Sequence, residues 1–355
     1  KFLCARCWVE QGIIMKKVLI IGGGGFIGSN ITRYLLENRQ YNVDVVDNFS
    51  RSNSGKSPLL DKFSKSNRLK VHNADLTVLE NFDQLDRDYD YVFMLAAMVG
   101  VDKVNAVPHD VIRVNSMLIL STLEWLKASN CGRVVYSSTS ETYAGTIEAF
   151  GYDIPTNEAV PLTIEDVSHP RFTYAITKML GESGFINYAR QGYFDAIVVR
   201  YHNVYGPDMG FRHVIPHLVE RFQKNESPFL IYGHDQTRAF NFIDDAVLGT
   251  VLAAEKGVNN GIYHIGDSDE ISIETLTRFV GKLLDYDGDY EYAPTFPGSV
   301  SRRCPDITKA KKDLDYLPSV GWKEGVESTI NWYLEYLKGT ETSQESFYDQ
   351  YGIKQ

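Results

Sequence analysis

The segment 17–28 reads KVLIIGGGGFIG. Its apolar first part, residues 17–22, predicts a buried strand, and residues 26–38 after the glycines predict a helix. Gly22, Gly25 and Gly28 have a G-x-x-G-x-x-G spacing. Such glycines permit a tight turn, a close backbone approach to a pyrophosphate, and close packing of the helix on the strand. The N–H groups at the helix N-terminus would face the phosphates. The segment therefore predicts the opening of a dinucleotide-binding α/β domain.

Apolar runs alternate with helix-length amphipathic segments along the chain that follows. We predict strands at residues 42–47, 69–73, 91–97, 133–138 and 194–201, and helices at residues 111–129 and 174–191. Strands that alternate with helices form right-handed βαβ units. The predicted fold class is therefore α/β, a Rossmann-type doubly wound parallel sheet with helices on both faces.

The pattern loosens after residue 201, where prolines, aromatic residues and loops become more frequent. We expect residues 15–201 to form the dinucleotide-binding domain and residues 202–338 to form mainly a smaller C-terminal α/β lobe that binds the substrate. Residues 339–355 are polar and are expected to form a loosely attached tail. Residues 1–14 precede Met15 and are expected to lie outside the fold, so we do not interpret the Cys4-x-x-Cys7 pair as a zinc site.

The composition excludes several classes of function. The net charge of −10 argues against a nucleic-acid-binding protein, whose surface is normally basic. No apolar run approaches the ~18–20 residues that cross a bilayer. The four cysteines are sparse and no secretory signal is evident, so we expect the protein in the cytoplasm.

Four histidines, His202, His213, His217 and His234, cluster near the predicted substrate loop. Pro216 lies between His213 and His217 and argues against a regular helical face that both could share. We therefore interpret these histidines as substrate or core residues and expect no metal site.

An acidic residue, Asp47, ends the second predicted strand. A carboxylate there accepts ribose hydroxyls and repels a 2′-phosphate, which favours NAD over NADP, although the nearby Arg51 leaves NADP open. The other residues expected to contact the cofactor open the first helix or follow the ends of neighbouring strands. They are Phe26, Ile27, Asn48, Asp75, Leu76, Leu95, Ala96, Ala97, Ser137 and Tyr201.

Tyr174 and Lys178 form a Y-x-x-x-K pair on the helix predicted at residues 174–191. The i, i+4 spacing places both side chains on one helical face, where a lysine ammonium would lower the pKa of the phenol. Such a tyrosine can act as a base towards a sugar or alcohol hydroxyl. The fifth predicted strand ends in hydroxyl residues and one carboxylate, SSTSE at residues 137–141, at the edge where α/β sheets place their ligands.

With these motifs in place, residues 17–338 resemble the extended short-chain dehydrogenases/reductases, in particular the NAD-dependent sugar epimerase/dehydratase group. Three later stretches are similar to that group: RYHNVYGP at residues 200–207, DQTRAF at residues 235–240, and RRCPD at residues 302–306. The resemblance implies that Asn203 and Arg238 contact the diphosphate of a nucleotide-sugar, with Ser140, Arg302 and Arg303 as further substrate residues. Guanidinium groups pair well with phosphates. Ordinary surface ion pairing is the alternative for Arg302 and Arg303.

The resemblance also implies the chemistry of an enzyme. Tyr174 would remove the proton of the sugar 4-hydroxyl, with hydride passing from C4 to NAD. Thr139 would bind the 4-oxygen, and Lys178 would hold the nicotinamide ribose. The 4-keto sugar then leads to a 4-epimerase, a 4,6-dehydratase, a uronate decarboxylase, or a net C4 dehydrogenase. We expect a 4-epimerase or 4,6-dehydratase first, and we keep a non-catalytic NAD(H)-binding sensor as the alternative from another class.

Glu141 bears on this choice, because the T-S-E at residues 139–141 resembles GDP-mannose 4,6-dehydratases and UDP-glucuronate decarboxylases. A carboxylate there could take the C5 proton. Asp208 stands where the decarboxylases usually have an arginine and would oppose a bound uronate. The resemblance further implies a homodimer, paired through the long helices predicted at residues 111–129 and 174–191.

Overall fold

The computed structural model describes residues 15–51, 57–211, 213–295 and 300–339. The strands, in chain order, are β1 (Lys17–Ile21), β2 (Asn42–Asp47), β3 (Leu69–Asn73), β4 (Asp88–Met94), β5 (Asn130–Thr139), β6 (Asp195–Tyr201), β7 (Val204–Tyr205), β8 (Phe229–Tyr232), β9 (Thr237–Ala239), β10 (Asn241–Phe242), β11 (Gly261–Ile265), β12 (Glu270–Ser272), β13 (Tyr290–Ala293) and β14 (Arg302–Arg303).

The helices are α1 (Phe26–Asn38), α2 (Pro58–Asp61), α3 (Val101–Ala106), α4 (Pro108–Lys127), α5 (Ala144–Phe150), α6 (Phe172–Arg190), α7 (Val214–Gln223), α8 (Ile243–Lys256), α9 (Ile273–Leu283), α10 (Thr308–Leu314) and α11 (Trp322–Gly339). Leu79–Gln84 and Ser140–Tyr143 are short 3₁₀ helices. The predictions for residues 1–14, including Cys4 and Cys7, and for residues 340–355 concern segments outside the described residues.

The central sheet has seven parallel strands in the order β3-β2-β1-β4-β5-β6-β11. The order reverses between β1 and β4, so the carboxyl ends of these two strands form the crevice where such sheets bind their ligands. The predicted α/β class and doubly wound parallel sheet are confirmed. The seventh strand, β11, comes from the part of the chain that the sequence analysis assigned mainly to the second lobe. So does α8, which packs near β5, β6 and α1.

Helices cover both faces of the sheet because its strands bury apolar side chains on both sides. In β1, Val18 and Ile20 belong to one apolar cluster, whereas Leu19 and Ile21 belong to the other. Successive residues of a strand point to opposite faces, so a continuous apolar run supplies two cores at once. Each such side chain contributes roughly 1.5–3 kcal/mol when fully buried.

Three of the predicted elements, at residues 26–38, 42–47 and 69–73, have the bounds that the sequence indicated. The strand predicted at residues 91–97 lies instead at Asp88–Met94. Its first residues alternate exposed aspartates with a buried tyrosine, Tyr89, which hides the strand from a search for apolar runs. The N–H groups of Leu95 and Ala96 both donate to the carbonyl of Ile21, and this sharing ends the regular ladder at Met94.

A small three-stranded sheet, in the order β12-β9-β14, lies in the C-terminal half of the chain. Parallel pairing of β14 with β9 places Arg303 beside Arg238 and Arg302 beside Thr237. Because side chains alternate along a strand, the two arginines of β14 point to opposite faces of this sheet. The pairing of β14 with β9 therefore determines which of the two arginines lies on the same face of the small sheet as Arg238.

Within the described residues, the helices are all too short or too polar to cross a membrane. A cytoplasmic location stays a prediction.

Candidate active site

The glycine loop between β1 and α1 forms a narrow cradle. Gly22 has a φ of +86°, and a Cβ on it would lie 2.6 Å from the backbone nitrogen of Ala96. A Cβ on Gly28 would overlap the carbonyl oxygen of Gly22. Gly25 is the N-cap of α1, and no side chain among the described residues caps it. The first N–H groups of α1 are therefore left for an anion, and the loop fits the pyrophosphate of a dinucleotide.

Asp47 stands at the end of β2, next to this loop. One carboxylate oxygen accepts the N–H of Gly24 at 2.9 Å and the other accepts the N–H of Phe49 at 2.7 Å. Burial raises the pKa of Asp47, while these two hydrogen bonds and the charge of Arg51 lower it. Each oxygen keeps a second lone pair for a ribose hydroxyl, so the loop and Asp47 together fit NAD.

Other residues predicted to bind the cofactor lie in different environments. The N–H groups of Leu95 and Ala96 donate to the carbonyl of Ile21, next to the glycine loop. The hydroxyl of Tyr201 is hydrogen-bonded at 2.7 Å to Thr250 of α8 inside the core. Asp75 caps its own turn by accepting the N–H and hydroxyl of Thr77.

Tyr174 and Lys178 lie one turn apart on α6. Lys178 is 4% exposed. It donates to the carbonyl of Ser137 at 2.7 Å and to the hydroxyl of Ser137 at 3.3 Å. Its nitrogen is 5.7 Å from the centre of the Tyr174 ring. Burial lowers the pKa of Lys178 to about 7, with Glu182 opposing that shift.

The predicted lowering of the phenol pKa is not found in the protein alone. Burial raises the pKa of Tyr174, and the negative charge of Glu141 raises it further, against an opposing effect of Arg51. The expectation was wrong because it counted only the neighbouring lysine and left out the burial of the phenol and the charge of Glu141.

Thr139 ends β5 and is the N-cap of the 3₁₀ helix Ser140–Tyr143. Its hydroxyl oxygen accepts the N–H of Glu141 at 3.3 Å. A hydroxyl that accepts one hydrogen bond still has its own proton to donate. Thr139 can therefore donate to a substrate oxygen at the carboxyl edge of the sheet.

Glu141 is surrounded by arginines. Arg303 donates to one carboxylate oxygen at 2.6 Å, and Arg171 lies 3.8 Å from the other. Burial would raise the pKa of Glu141, but the charges of Arg303, Arg171 and Arg238 bring it below its ordinary value. A carboxylate held in this way is a weaker base than an unpaired one.

Arg238 has a different environment. Its guanidinium donates to neutral acceptors: the carbonyls of Thr237, Val300 and Ser301 and the side-chain oxygen of Gln236. Burial and the neighbouring Arg303 lower the pKa of Arg238 to about 10. This positive charge would be stabilised by an anion.

Two other predicted substrate residues take different positions. The amide of Asn203 donates to the carbonyl of Ala239 at 2.9 Å, and this bond fixes Asn203 next to Arg238. Arg302 does not join the cluster, because its guanidinium makes three hydrogen bonds to Glu270 on the other face of the small sheet.

Several residues in or beneath this site were given no role of their own by the sequence analysis. Arg171 precedes α6 and carries no motif. Beneath the site, Arg200 makes a two-point ion pair with Glu182 and donates to the Tyr143 hydroxyl. That hydroxyl is 2.7 Å from a ring nitrogen of His264. Charged residues spaced far apart in sequence give no local signal of such a buried network.

Two of the four histidines, His213 and His217, lie in or next to α7. Pro216 lies inside α7, in its first turn, where proline is tolerated because no hydrogen bond is lost there. His213 is the N-cap of this helix and has an extended backbone, so His213 and His217 do not share a regular helical face, although Pro216 itself is helical. Within the described ranges, His, Cys, Asp and Glu side chains do not form a group of three that could hold a metal ion.

Comparison with known proteins gives matches to one family of NAD-dependent enzymes. A model of the NAD dependent epimerase/dehydratase family matches residues 18–266. The UDP-N-acetyl-alpha-D-glucosaminuronate decarboxylase of Bacillus cytotoxicus is 32% identical over 334 residues, which are 90% of this chain and 98% of that protein. The UDP-glucuronate 4-epimerase of Thermodesulfobacterium geofontis is 30% identical, over 91% of this chain and 98% of the relative.

A similar solved structure is that of a dTDP-glucose 4,6-dehydratase from Streptomyces venezuelae with NAD bound. It has a TM-score of 0.80 and 26% identity, and the match covers 92% of this chain and 99% of that one.

Proposed function

The chain belongs to the NAD dependent epimerase/dehydratase family, and we propose that it uses Tyr174, Lys178 and Thr139 to oxidise a nucleotide-sugar transiently at C4. It is an NAD-dependent enzyme of the nucleotide-sugar epimerase, dehydratase and decarboxylase class. The assignment of residues is supported by three features: Thr139 ends β5, Lys178 of α6 donates to the carbonyl of Ser137 in β5, and its nitrogen is 5.7 Å from the centre of the Tyr174 ring.

The glycine loop and Asp47 would hold NAD, which would supply the hydride acceptor. Tyr174 accepts the proton of the 4-hydroxyl, and Thr139 donates a hydrogen bond to the same oxygen. Lys178 is anchored on Ser137 and keeps its nitrogen close to the Tyr174 ring. Each of these residues comes from a rigid strand end or helix, which suits the positional precision that proton transfer requires.

The diphosphate of the substrate is assigned to Arg238, with Asn203 beside it. The guanidinium of Arg238 is held by neutral acceptors, so an incoming phosphate oxygen would meet its charge without displacing a carboxylate. Arg303 is engaged by Glu141 instead, so we assign it to the sugar end of the pocket.

The arginines around Glu141 indicate a narrower class of substrate, a nucleotide-sugar whose sugar is a uronate. The Glu141–Arg303 pair disfavours a 4,6-dehydratase in which Glu141 takes the C5 proton, because the lowered pKa weakens that base. Arg303 and Arg171 can instead face a C6 carboxylate. Asp208, which the sequence analysis took as an obstacle to a uronate, has Arg51 and Lys62 as cationic neighbours. The two relatives described above both act on uronates by name.

Two outcomes then remain for a 4-keto uronate. Return of the hydride to the opposite face gives the C4 epimer. Alternatively, the C5–C6 bond breaks and CO₂ leaves, the electron pair of that bond forms an enolate with the C4 carbonyl, C5 is protonated, and return of the hydride to C4 gives the pentose. The decarboxylation is favoured by the presence of a ketone β to the carboxylate.

The test is the mass of the product. Purified enzyme and NAD are given UDP-, GDP- and dTDP-sugars, including UDP-glucuronate, and the products are separated and weighed by mass spectrometry. Loss of CO₂ or an isomer of UDP-glucuronate supports the uronate assignment, whereas loss of water from a neutral hexose overturns it. Tyr174→Phe should lower turnover by about 10²–10⁴-fold while NAD remains bound. Unchanged turnover in Tyr174→Phe would contradict the role of this residue.

We also propose that the enzyme is a homodimer. The supporting feature is a set of exposed apolar side chains on the contacting helices α4 and α6, namely Ile112, Met117, Leu120 and Leu180. Helices that cover a sheet normally present polar residues to water, so this surface suits a second copy of the same helix pair.

A further inference from the structure

A small cavity lies just beyond the end of β5. It has a volume of about 10 Å³, and its lining includes Ser140, Tyr143, His202 and Arg303. This volume accommodates one water-sized group and no more. The cavity therefore cannot hold a sugar ring, but it can receive a single oxygen atom at the end of a substituent.

His202 is the unusual side chain of this lining. It is 1% exposed, and neither of its ring nitrogens has a hydrogen-bond partner among the described residues. A buried polar group without a partner lowers the stability of a protein, and such groups are rare. A partner that arrives with a ligand would resolve this deficit.

The neighbouring histidine cannot supply that partner. The two rings cross edge to face with centres 4.6 Å apart. Both nitrogens of His264 are already engaged, one with the Tyr143 hydroxyl at 2.7 Å and the other with the carbonyl of Asp306 at 3.0 Å. The deficit therefore belongs to His202 alone and not to the histidine pair.

The protonation of His202 limits what it can bind. Burial lowers its pKa well below the ordinary value, and His264, Arg303 and Arg200 lower it further. A neutral imidazole has one N–H donor and one acceptor nitrogen. The tautomer that turns this N–H towards the cavity gives, with the Ser140 hydroxyl and the Arg303 guanidinium, three donors around one small space.

We propose that His202 is a specificity-determining residue that binds a carboxylate oxygen at C6 of the sugar, together with Arg303 and Ser140. An oxygen of an ionised carboxylate accepts hydrogen bonds and donates none, so one such oxygen matches a small space bordered by donors. The inference rests on the proposed function and deepens it, because it names the residue that would separate a uronate from a neutral hexose.

The test measures binding in the catalytically inactive Tyr174→Phe background, so that no turnover interferes. UDP, UDP-glucose and UDP-glucuronate are titrated by calorimetry into the His202→Phe and His202→Gln variants and into the protein with His202 intact. With His202 intact, UDP-glucuronate should bind more tightly than UDP-glucose. His202→Phe should weaken UDP-glucuronate about 10-fold or more and leave UDP and UDP-glucose unchanged. His202→Gln, which restores a donor, should recover part of the loss.

Thermal unfolding separates this role from a structural one. His202→Phe removes two unpaired nitrogens, so it should keep or raise the melting temperature while it loses the preference for UDP-glucuronate. His264→Phe is the control, because it breaks two hydrogen bonds of the same cluster. It should lower the melting temperature without a selective loss of UDP-glucuronate.

Several results would overturn the inference: an unchanged preference in His202→Phe, an equal weakening of UDP, or no preference with His202 intact. Turnover of any nucleotide-sugar by the wild-type enzyme is measured separately. The proposed function can therefore stand where this subsite fails, and the subsite can stand where turnover fails.

Discussion

Burial of the Lys178 ammonium links the active site to the pH dependence of stability. In the folded chain burial lowers the pKa of Lys178 to about 7, against an ordinary value of 10.5. Between these two values the unfolded chain binds more protons than the folded chain, so the free energy of unfolding rises with pH. The slope due to this residue is at most about 1.4 kcal/mol per pH unit.

Replacement of Lys178 with Met removes this contribution. The difference in unfolding free energy between the wild-type and Lys178→Met proteins should therefore grow as the pH rises from 7 to 10, in favour of the wild type. Denaturant unfolding at pH 6 and pH 9 measures it. Lys70→Met, which changes an exposed lysine, should leave the pH dependence unaltered. An equal difference at both pH values would show that the pKa of Lys178 is not lowered.

At the next scale, α6 is the element on which the site depends most. Tyr174, Lys178 and Glu182 recur at every fourth residue and so share the face turned towards β5. Gly181 lets this face come close, because a Cβ there would overlap the buried ring of Tyr136. Gly184 is on the same helix, but a Cβ there would meet the terminal methyl carbon of Leu123 at 2.8 Å, the end of a flexible side chain.

These two glycines form a matched pair for mutation. Alanine gains roughly 1 kcal/mol of helix propensity at either position. At Gly181 this gain is offset by overpacking that costs about 1–3 kcal/mol, and the helix must shift with Tyr174 and Lys178 on it. Gly181→Ala should lower both the unfolding free energy and kcat, whereas Gly184→Ala should change both much less. Equal effects in denaturant unfolding and in turnover would contradict this account of α6.

The elements also show how far the sequence alone could lead. Apolar runs bounded by turns predicted α1 and β2 to the residue, because β2 is buried and α1 is amphipathic. The bounds of β3 were also predicted, although its residues are half-buried or exposed. The start of β4 was missed, since its aspartates alternate with Tyr89. Strand β11 was missed because nothing in its five residues indicates that the chain returns through α8 and pairs this strand with β6.

The site was predictable where one motif lies on one element, as with the glycine loop or the Tyr174–Lys178 pair. The site was not predictable where the position of a residue depends on the pairing of two strands. The roles of Arg302 and Arg303 depend on the register of β14 on β9, which sends adjacent arginines to opposite faces. The effect of Glu141 and burial on the pKa of Tyr174 likewise needs the packed structure.

At the scale of the whole molecule, the site lies where distant parts of the chain meet. Glu141 follows β5 and Arg303 belongs to β14, and their ion pair joins the large sheet to the small one. Strand β11 then returns to the large sheet beside β6. The two halves are therefore interleaved, and a fragment ending at residue 201 would lose one edge of the large sheet.

The oligomeric state is also a property of the whole molecule. Leu120 on α4 is 54% exposed and lies in the apolar surface formed with Ile112, Met117 and Leu180. A stable homodimer buries about 1,200–2,000 Å² in total, and an arginine placed within such a surface would have to be buried without a partner. We therefore expect the wild-type protein to be a dimer in solution and Leu120→Arg to be a monomer. Light scattering coupled to size-exclusion chromatography measures both masses.

Val258 provides the control for this substitution. It is 62% exposed but lies between α8 and β11, outside the apolar surface of α4 and α6. Val258→Arg adds the same charge to the molecule and should leave the dimer intact, because no partner helix is expected there. A wild-type monomer, or a Leu120→Arg protein that still dimerises, would show that this helix pair is not the interface.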